Sequence, residues 1–407
     1  GTLANYNGYN IVFALAGNPK NCDDTSIYLF YQKIGDTSID SWKNAGRVFK
    51  DSDKFDSNDP ILKYQTQEWS GSANLTKDGK VRLFYTDFSG KPEDGGTGAG
   101  KQTLTTAQVN LSQLDGDTLK IDGVEDHKSI FDGGDGKMYQ NIQQFIDGGS
   151  YSSGDNHTLR DPHYVEDNGH KYLVFEGNTG SEDGYQGEES LNNKDYYGGS
   201  DAFFQTEKDK LLAENNTENA SSANGADDYT SQTAAHNKEK VYFANGALGI
   251  IELNDDYTLK TVMKPLIVAN TVTDEIERAN VFKMNGKWYL FTDSRGSKAT
   301  IDGIGAKDVY MLGYVSDSLT GPYKPLNDSG LVLRMGLDPA DLTFTYSHFA
   351  VPQADGNNVV ITSYMTNRGY FEDHHATFAP SFLLNIDGTK TSVVPNSIME
   401  QGQLTIK

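Results

Sequence analysis

The 407-residue chain carries 57 acidic against 35 basic residues, a formal net charge of −22. That charge repels phosphates and argues against nucleic acid or an anionic membrane as partner, while it suits a soluble surface or a divalent cation. A single cysteine, Cys22, excludes an intramolecular disulfide, and no apolar run is long enough for a membrane-spanning helix. Aromatics at 11% and 42 glycines fit many short strands and tight turns better than a helical bundle.

In chain order, one phrase recurs five times: a glycine turn, a polar residue or two, then a strand of aromatic and aliphatic residues. The copies are Gly8–Phe13, Asp78–Phe84, Gly169–Phe175, Gly286–Phe291 and a weaker Asp355–Ile361. Their uneven spacing is no strict tandem repeat, yet it suits blades joined by loops of different length. The expected fold is therefore all-β, a five-bladed β-propeller with a central funnel; unrelated hairpins in a large β-sandwich are the alternative. Residues 90–100 (GKPEDGGTGAG) read as a surface loop. Residues 207–240, rich in Asn, Ala and Ser, read as a helix-and-loop excursion. No domain boundary is visible, so residues 1–407 are expected to form one catalytic propeller. The opening Gly1-Thr2-Leu3, without an initiator Met or an apolar leader, reads as a processed or trimmed start.

The innermost strand of a propeller blade lines the funnel, so the segments just before the glycine turns are expected to face it. Those segments are Gln67–Ser72, Asp155–Pro162, Asp274–Arg278 and Thr345–Phe349, each a cluster of charged, aromatic or hydroxyl residues. Asp161 and Glu277 stand out, because a pair of carboxylates can protonate a leaving group and stabilise a positive sugar ring. Asp161-Pro162 also reads as a turn, and Glu277 beside Arg278 as a structural ion pair. Trp69 and Tyr346 suit flat walls for a sugar, or core aromatics. Arg160, Arg278, Arg295 and Arg368 suit hydroxyl or carboxylate contacts, or surface ion pairs. The eight histidines show no zinc spacing, and neither a GxSxG elbow nor a P-loop is present.

Four stretches carry a family resemblance: Glu68-Trp69-Ser70-Gly71-Ser72, GDNHTLRDPHYVED from Gly154, TDEIERANVF from Thr273, and Met365-Thr366-Asn367-Arg368-Gly369. They resemble the fructansucrases of glycoside hydrolase family 68, most closely the levansucrases of Gram-positive bacteria, over nearly the whole chain. The resemblance implies a five-bladed propeller that splits sucrose and passes the fructosyl unit to a growing fructan, to sucrose or to water. It implies Glu277 as acid/base and Asp161 as stabiliser of the fructosyl cation. It places Arg160, Glu275 and Arg295 on the glucosyl side, Trp69 and Ser70 in the fructosyl pocket, and Tyr346 and Arg368 at the rim. It also implies a structural Ca²⁺ held by Asp155, Gln186, Asn245 and Asp274 side chains and the Phe243 carbonyl, all oxygen donors. Secretion and a monomeric state are further expectations.

The family's attacking aspartate lies in a Trp-Asp-Ser-Trp type motif that this sequence lacks, and its expected place is upstream of Gly1. Asp23 and Asp24 fall on the wrong side of the first hairpin to replace it. An inulin-type fructansucrase, an invertase-like hydrolase and a catalytically silent sugar-binding propeller are the competing readings.

Overall fold

A computed structural model describes residues 3–18, 21–89, 100–148, 155–183, 244–270, 273–296, 308–336, 345–354, 356–365 and 377–406, with positions 202, 205 and 209. Five antiparallel sheets follow one another along the chain. The first contains β1 (Leu3–Tyr6), β2 (Tyr9–Asn18), β3 (Asn21–Lys33) and β4 (Lys43–Arg47). Next come β5 (Gln67–Leu75), β6 (Val81–Ser89), β7 (Lys101–Leu114) and β8 (Thr118–Phe131). The third holds β9 (Leu159–Asp167), β10 (His170–Asn178), β11 (Asn245–Leu253), β12 (Leu259–Val262) and β13 (Ile267–Asn270). The fourth holds β14 (Glu277–Met284), β15 (Lys287–Arg295), β16 (Asp308–Ser316), β17 (Lys324–Pro325) and β18 (Leu331–Gly336). The fifth holds β19 (Thr345–Pro352), β20 (Asn358–Met365), β21 (Thr377–Phe378), β22 (Phe382–Asp387) and β23 (Lys390–Val393).

Each glycine phrase forms the turn between the first two strands of its sheet, as expected. The turn glycines all have positive φ: 86° at Gly8, 77° at Gly79, 80° at Gly169, 77° at Gly286 and 75° at Gly356. Three of them follow an asparagine that is also left-handed (Asn7, Asn168 and Asn285), the Asn-Gly hairpin whose twist matches the flanking strands.

The second strand of every sheet is apolar on both faces, because each face meets a different neighbour. On β2, Ile11 and Phe13 pack with Leu83 and Tyr85 of β6, while Val12 points the other way, to Val351 and Val360 of the fifth sheet. Phe84 joins Leu173 and Phe175 of β10, and Val174 joins Leu290 of β15. Tyr289 and Phe291 then pack with Val359 and Ile361 of β20. Five cores between five sheets close the ring, with large side chains that each contribute about 1.5–3 kcal/mol on burial. The result is a five-bladed β-propeller, and the sandwich alternative is set aside. The first strands pack side by side around the axis, β5 on β9, β9 on β14 and β14 on β19. Of the two expected insertions, residues 90–99 and nearly all of 207–240 lie outside the described residues.

Candidate active site

Four of the axial strands break register at nearly the same distance before the hairpin glycine. Ser70 has no partner on β6, since Trp69 pairs with Thr86 and Gly71 with Tyr85. The breaks in β9, β14 and β19 fall at Asp161-Pro162, Arg278-Ala279 and Ser347-His348. Asp161, Arg278 and Ser347 take left-handed φ values of 57°, 59° and 59°. Such bulges turn a strand and re-aim its side chains, and non-glycine residues hold that conformation only where their surroundings enforce it.

Hydrogen bonds tie one bulge to the next. The Thr86 hydroxyl donates to the Ser70 carbonyl at 3.0 Å and accepts the Asp161 N–H at 3.0 Å. Asp161 Oδ2 in turn accepts the Arg278 N–H at 3.3 Å. Asp161, read from sequence as either a turn residue or a carboxylate in the funnel, thus bridges β9 and β14 from a buried position.

Arg160 lies at the centre of a buried charge network. Its Nε donates to Glu176 Oε2 at 2.7 Å, and its Nη2 reaches Glu275 Oε2 and Glu277 Oε1, both at 3.1 Å. Arg295 grips Glu275 from the other side, Nε to Oε1 at 2.6 Å and Nη2 to Oε2 at 2.7 Å. Asn156 Nδ2 donates to Glu275 Oε2 at 3.1 Å. The structural ion pair between Glu277 and Arg278 is corrected by this geometry. Glu277 pairs with Arg160, and the Arg278 guanidinium lies 6.0 Å from the Phe349 ring.

Glu277 has one oxygen fixed by Arg160, while its Oε2 is buried with no hydrogen bond. Burial and the neighbouring Glu275 push its carboxyl up to about 7, against the opposing pull of Arg160 and Arg295. Such a group can be protonated at one step and ionised at the next. Glu176 is also held well above the usual carboxylate range, chiefly by burial and against the pull of Arg160.

Trp69 stacks on Phe88 at 4.3 Å, with its indole Nε1 donating to Gln67 Oε1 at 2.8 Å and the Arg160 guanidinium 5.9 Å above the ring. Ser70 is half-buried at its bulge. Tyr346 is buried, edge-on to Tyr364 at 6.1 Å and packed on Val309, so it belongs to a small core beside the carboxylates. Arg368 lies outside the described residues, as do Gln186 and Phe243.

The other three expected metal ligands meet in one buried cluster. Asn178 Nδ2 donates to Asn245 Oδ1 at 2.9 Å and to Asp274 Oδ1 at 3.1 Å. The Asn156 N–H donates to Asp155 Oδ1 at 2.9 Å and to Asp274 Oδ2 at 2.7 Å. Two buried carboxylates with amide oxygens beside them are a donor set that fits a hard divalent cation. Among the described residues, no three His, Cys, Asp or Glu side chains come together to hold an ion.

Sequence reading missed Thr86 and Glu176, which hold Ser70, Asp161 and Arg160 in place. A signal was present: each stands at the same distance after its hairpin glycine, Gly79 or Gly169.

Residues 1–405 match the levansucrase/invertase family of glycoside hydrolases, Glyco_hydro_68. The chain belongs to this family. Among its relatives, the levansucrase of Bacillus amyloliquefaciens is 74% identical over the whole chain and 80% of that protein. A Geobacillus stearothermophilus protein described as an inactive levansucrase is 72% identical over the same shares. A crystal structure of a Bacillus subtilis levansucrase variant in complex with oligosaccharides superposes with a TM-score of 0.89 at 73% identity, covering 100% of this chain and 86% of the other. The family assignment agrees with the five blades.

Proposed function

We propose that this chain supplies the propeller, the acid/base and the stabilising carboxylate of an enzyme that cleaves sucrose and transfers the fructosyl unit to a growing levan chain, to sucrose or to water, by a double displacement with retention. One observation carries the reading: Glu277 is a buried carboxyl near neutral proton affinity, with one oxygen fixed and the other free of hydrogen bonds. Protonated, Glu277 gives its proton to the glycosidic oxygen and glucose departs; ionised, it takes the proton of the incoming acceptor hydroxyl. Asp161 sets its negative charge beside the developing fructosyl cation, held at its working angle by the Thr86 and Arg278 contacts. Arg160, Glu275 and Arg295 face the glucosyl unit, Trp69 and Ser70 the fructosyl unit, and Tyr346 and Arg368 the rim. The attacking carboxylate is a third group, distinct from these two.

A structural Ca²⁺ is part of the proposal, with Asp155, Asn245 and Asp274 joined by Gln186 and the Phe243 carbonyl. When bound, it supplies a fixed positive charge that holds the chain ahead of Asp161 and Glu277. An extracellular site of action follows from a product polymer too large and polar to cross a membrane.

The test is glucose release from sucrose, measured for the 407-residue chain and for the chain joined to the upstream segment of a relative. E277Q in the active form is expected to lose about 10²–10⁴-fold in kcat. Retained turnover refutes the acid/base role. The alternative is a silent sugar-binding propeller. Sucrose binding with no glucose released from either form would establish it.

A further inference from the structure

Asp293 lies on β15 directly opposite Glu277 in the sheet register. It stands at the same distance after its hairpin glycine, Gly286, as Thr86 does after Gly79 and Glu176 after Gly169. These positions hold the site together in two blades: Thr86 links the bulges of β5 and β9, and Glu176 holds Arg160. In the fourth blade the side chain shares the face of Phe291, which packs toward the fifth blade.

Asp293 is fully buried, and neither carboxyl oxygen hydrogen-bonds to another side chain among the described residues. Burial pushes its proton affinity well up, and Glu277 and Asp161 add to that. The Arg278 guanidinium and the main-chain N–H of His348 pull the other way. These two groups belong to the bulges of β14 and β19. The His348 imidazole adds no charge, because burial lowers it to about 4; its Nε2 lies 3.2 Å from Thr345 Oγ1. A fully buried carboxyl with no side-chain hydrogen bond is costly to the fold, so this residue is poorly explained as a prop for it.

We propose that Asp293 is a positioning residue for the reaction, tying the Glu277-Arg278 bulge of β14 to the Ser347-His348 bulge of β19 as Thr86 ties the bulges of the second and third blades. Its carboxyl faces Arg278 and the His348 N–H together. Through Arg278 it holds the N–H that Asp161 accepts and the adjacent acid/base Glu277; through His348 it holds the wall at Tyr346. The β9 and β14 bulges are already joined by Asp161 itself, so this contact extends the tie to the fifth blade.

This inference rests on the acid/base reading of Glu277, and the experiment separates the two. In the active form, D293N and E277Q are compared with wild type for kcat and KM on sucrose and for melting temperature. D293N is expected to lose about 10²-fold in kcat, the cost of a small misplacement of catalytic groups. Its KM should stay within about threefold, since uniform substrate binding is kept, and its melting temperature should be unchanged or higher, because an ionisable group is removed from a buried site. If E277Q is inactive and D293N turns over like wild type, the positioning role is overturned while the acid/base reading stands. If E277Q remains active, the acid/base reading fails, and the positioning role with it. A lower melting temperature accompanying the kcat loss would also overturn it, in favour of simple fold support. Should D293N not fold, D293S is measured in the same way; failure of both to fold assigns Asp293 to the core.

Discussion

Replacing Arg295 by Met tests the charge network in both stability and pH dependence. Arg295 and Glu275 form a bidentate pair at 2.6 and 2.7 Å, with side-chain exposures of 8% and 1%. Removing one partner of a buried pair strands the other and costs about 3–5 kcal/mol. Glu275 keeps Arg160 and Asn156, each at 3.1 Å, which places the cost at the lower end, about 3 kcal/mol. At about 2.1 cal/mol/K per residue, 407 residues give an unfolding entropy near 0.85 kcal/mol/K, so R295M should melt about 3–4 °C lower. The second effect has a definite sign. Arg295 pulls the Glu277 proton affinity down, so its loss raises Glu277 above about 7 and moves the alkaline limb of kcat/KM to higher pH. Scanning calorimetry and a pH–rate profile on sucrose read the two effects. A melting temperature within a degree of wild type, or a limb that moves to lower pH, would refute the account of the network.

On the proposed acid/base role, the acid form of Glu277 drives glucose departure, so kcat/KM of the unmodified enzyme should fall as pH rises through about 7. The same raised carboxyl bears on folding. Its stabilising contribution is complete below the ordinary value of 4.5 and is lost as pH rises through about 7, so E277Q should flatten that part of the stability–pH curve. Chelation should lower the melting temperature while changing the KM for sucrose little. A site filled to 100 times its Kd contributes about 2.7 kcal/mol, which is about 3 °C on the scale used above. An unchanged melting temperature in chelator would remove the Ca²⁺ proposal.

The glycine phrase made the blades legible because a hairpin is a local event. Asn168-Gly169 forms its turn whatever surrounds it, and the strand that follows carries its own alternation of faces. The position of Asp161 and Glu277 on axial strands was legible for the same reason, since each lies eight or nine residues ahead of such a turn. The pairing of Arg160 with Glu277 was not. In sequence Glu277 adjoins Arg278, yet the break in register between Glu277 and Asn280 turns the neighbours apart. Glu277 then meets an arginine more than a hundred residues earlier in the chain.

The sequence by itself therefore determined how many blades there are, which strand of each lines the axis and which carboxylates stand there, because turn chemistry and residue alternation act over a few residues. Tertiary structure decided the proton affinity of Glu277, the buried grip of Arg295 on Glu275 and the place of Asp293 between two bulges. Those properties depend on burial and on charges brought within a few ångströms only when five separate sheets close into a ring. The same closure gives Thr86, Glu176 and Asp293, unremarkable in sequence, their positions beside Asp161, Arg160 and Glu277.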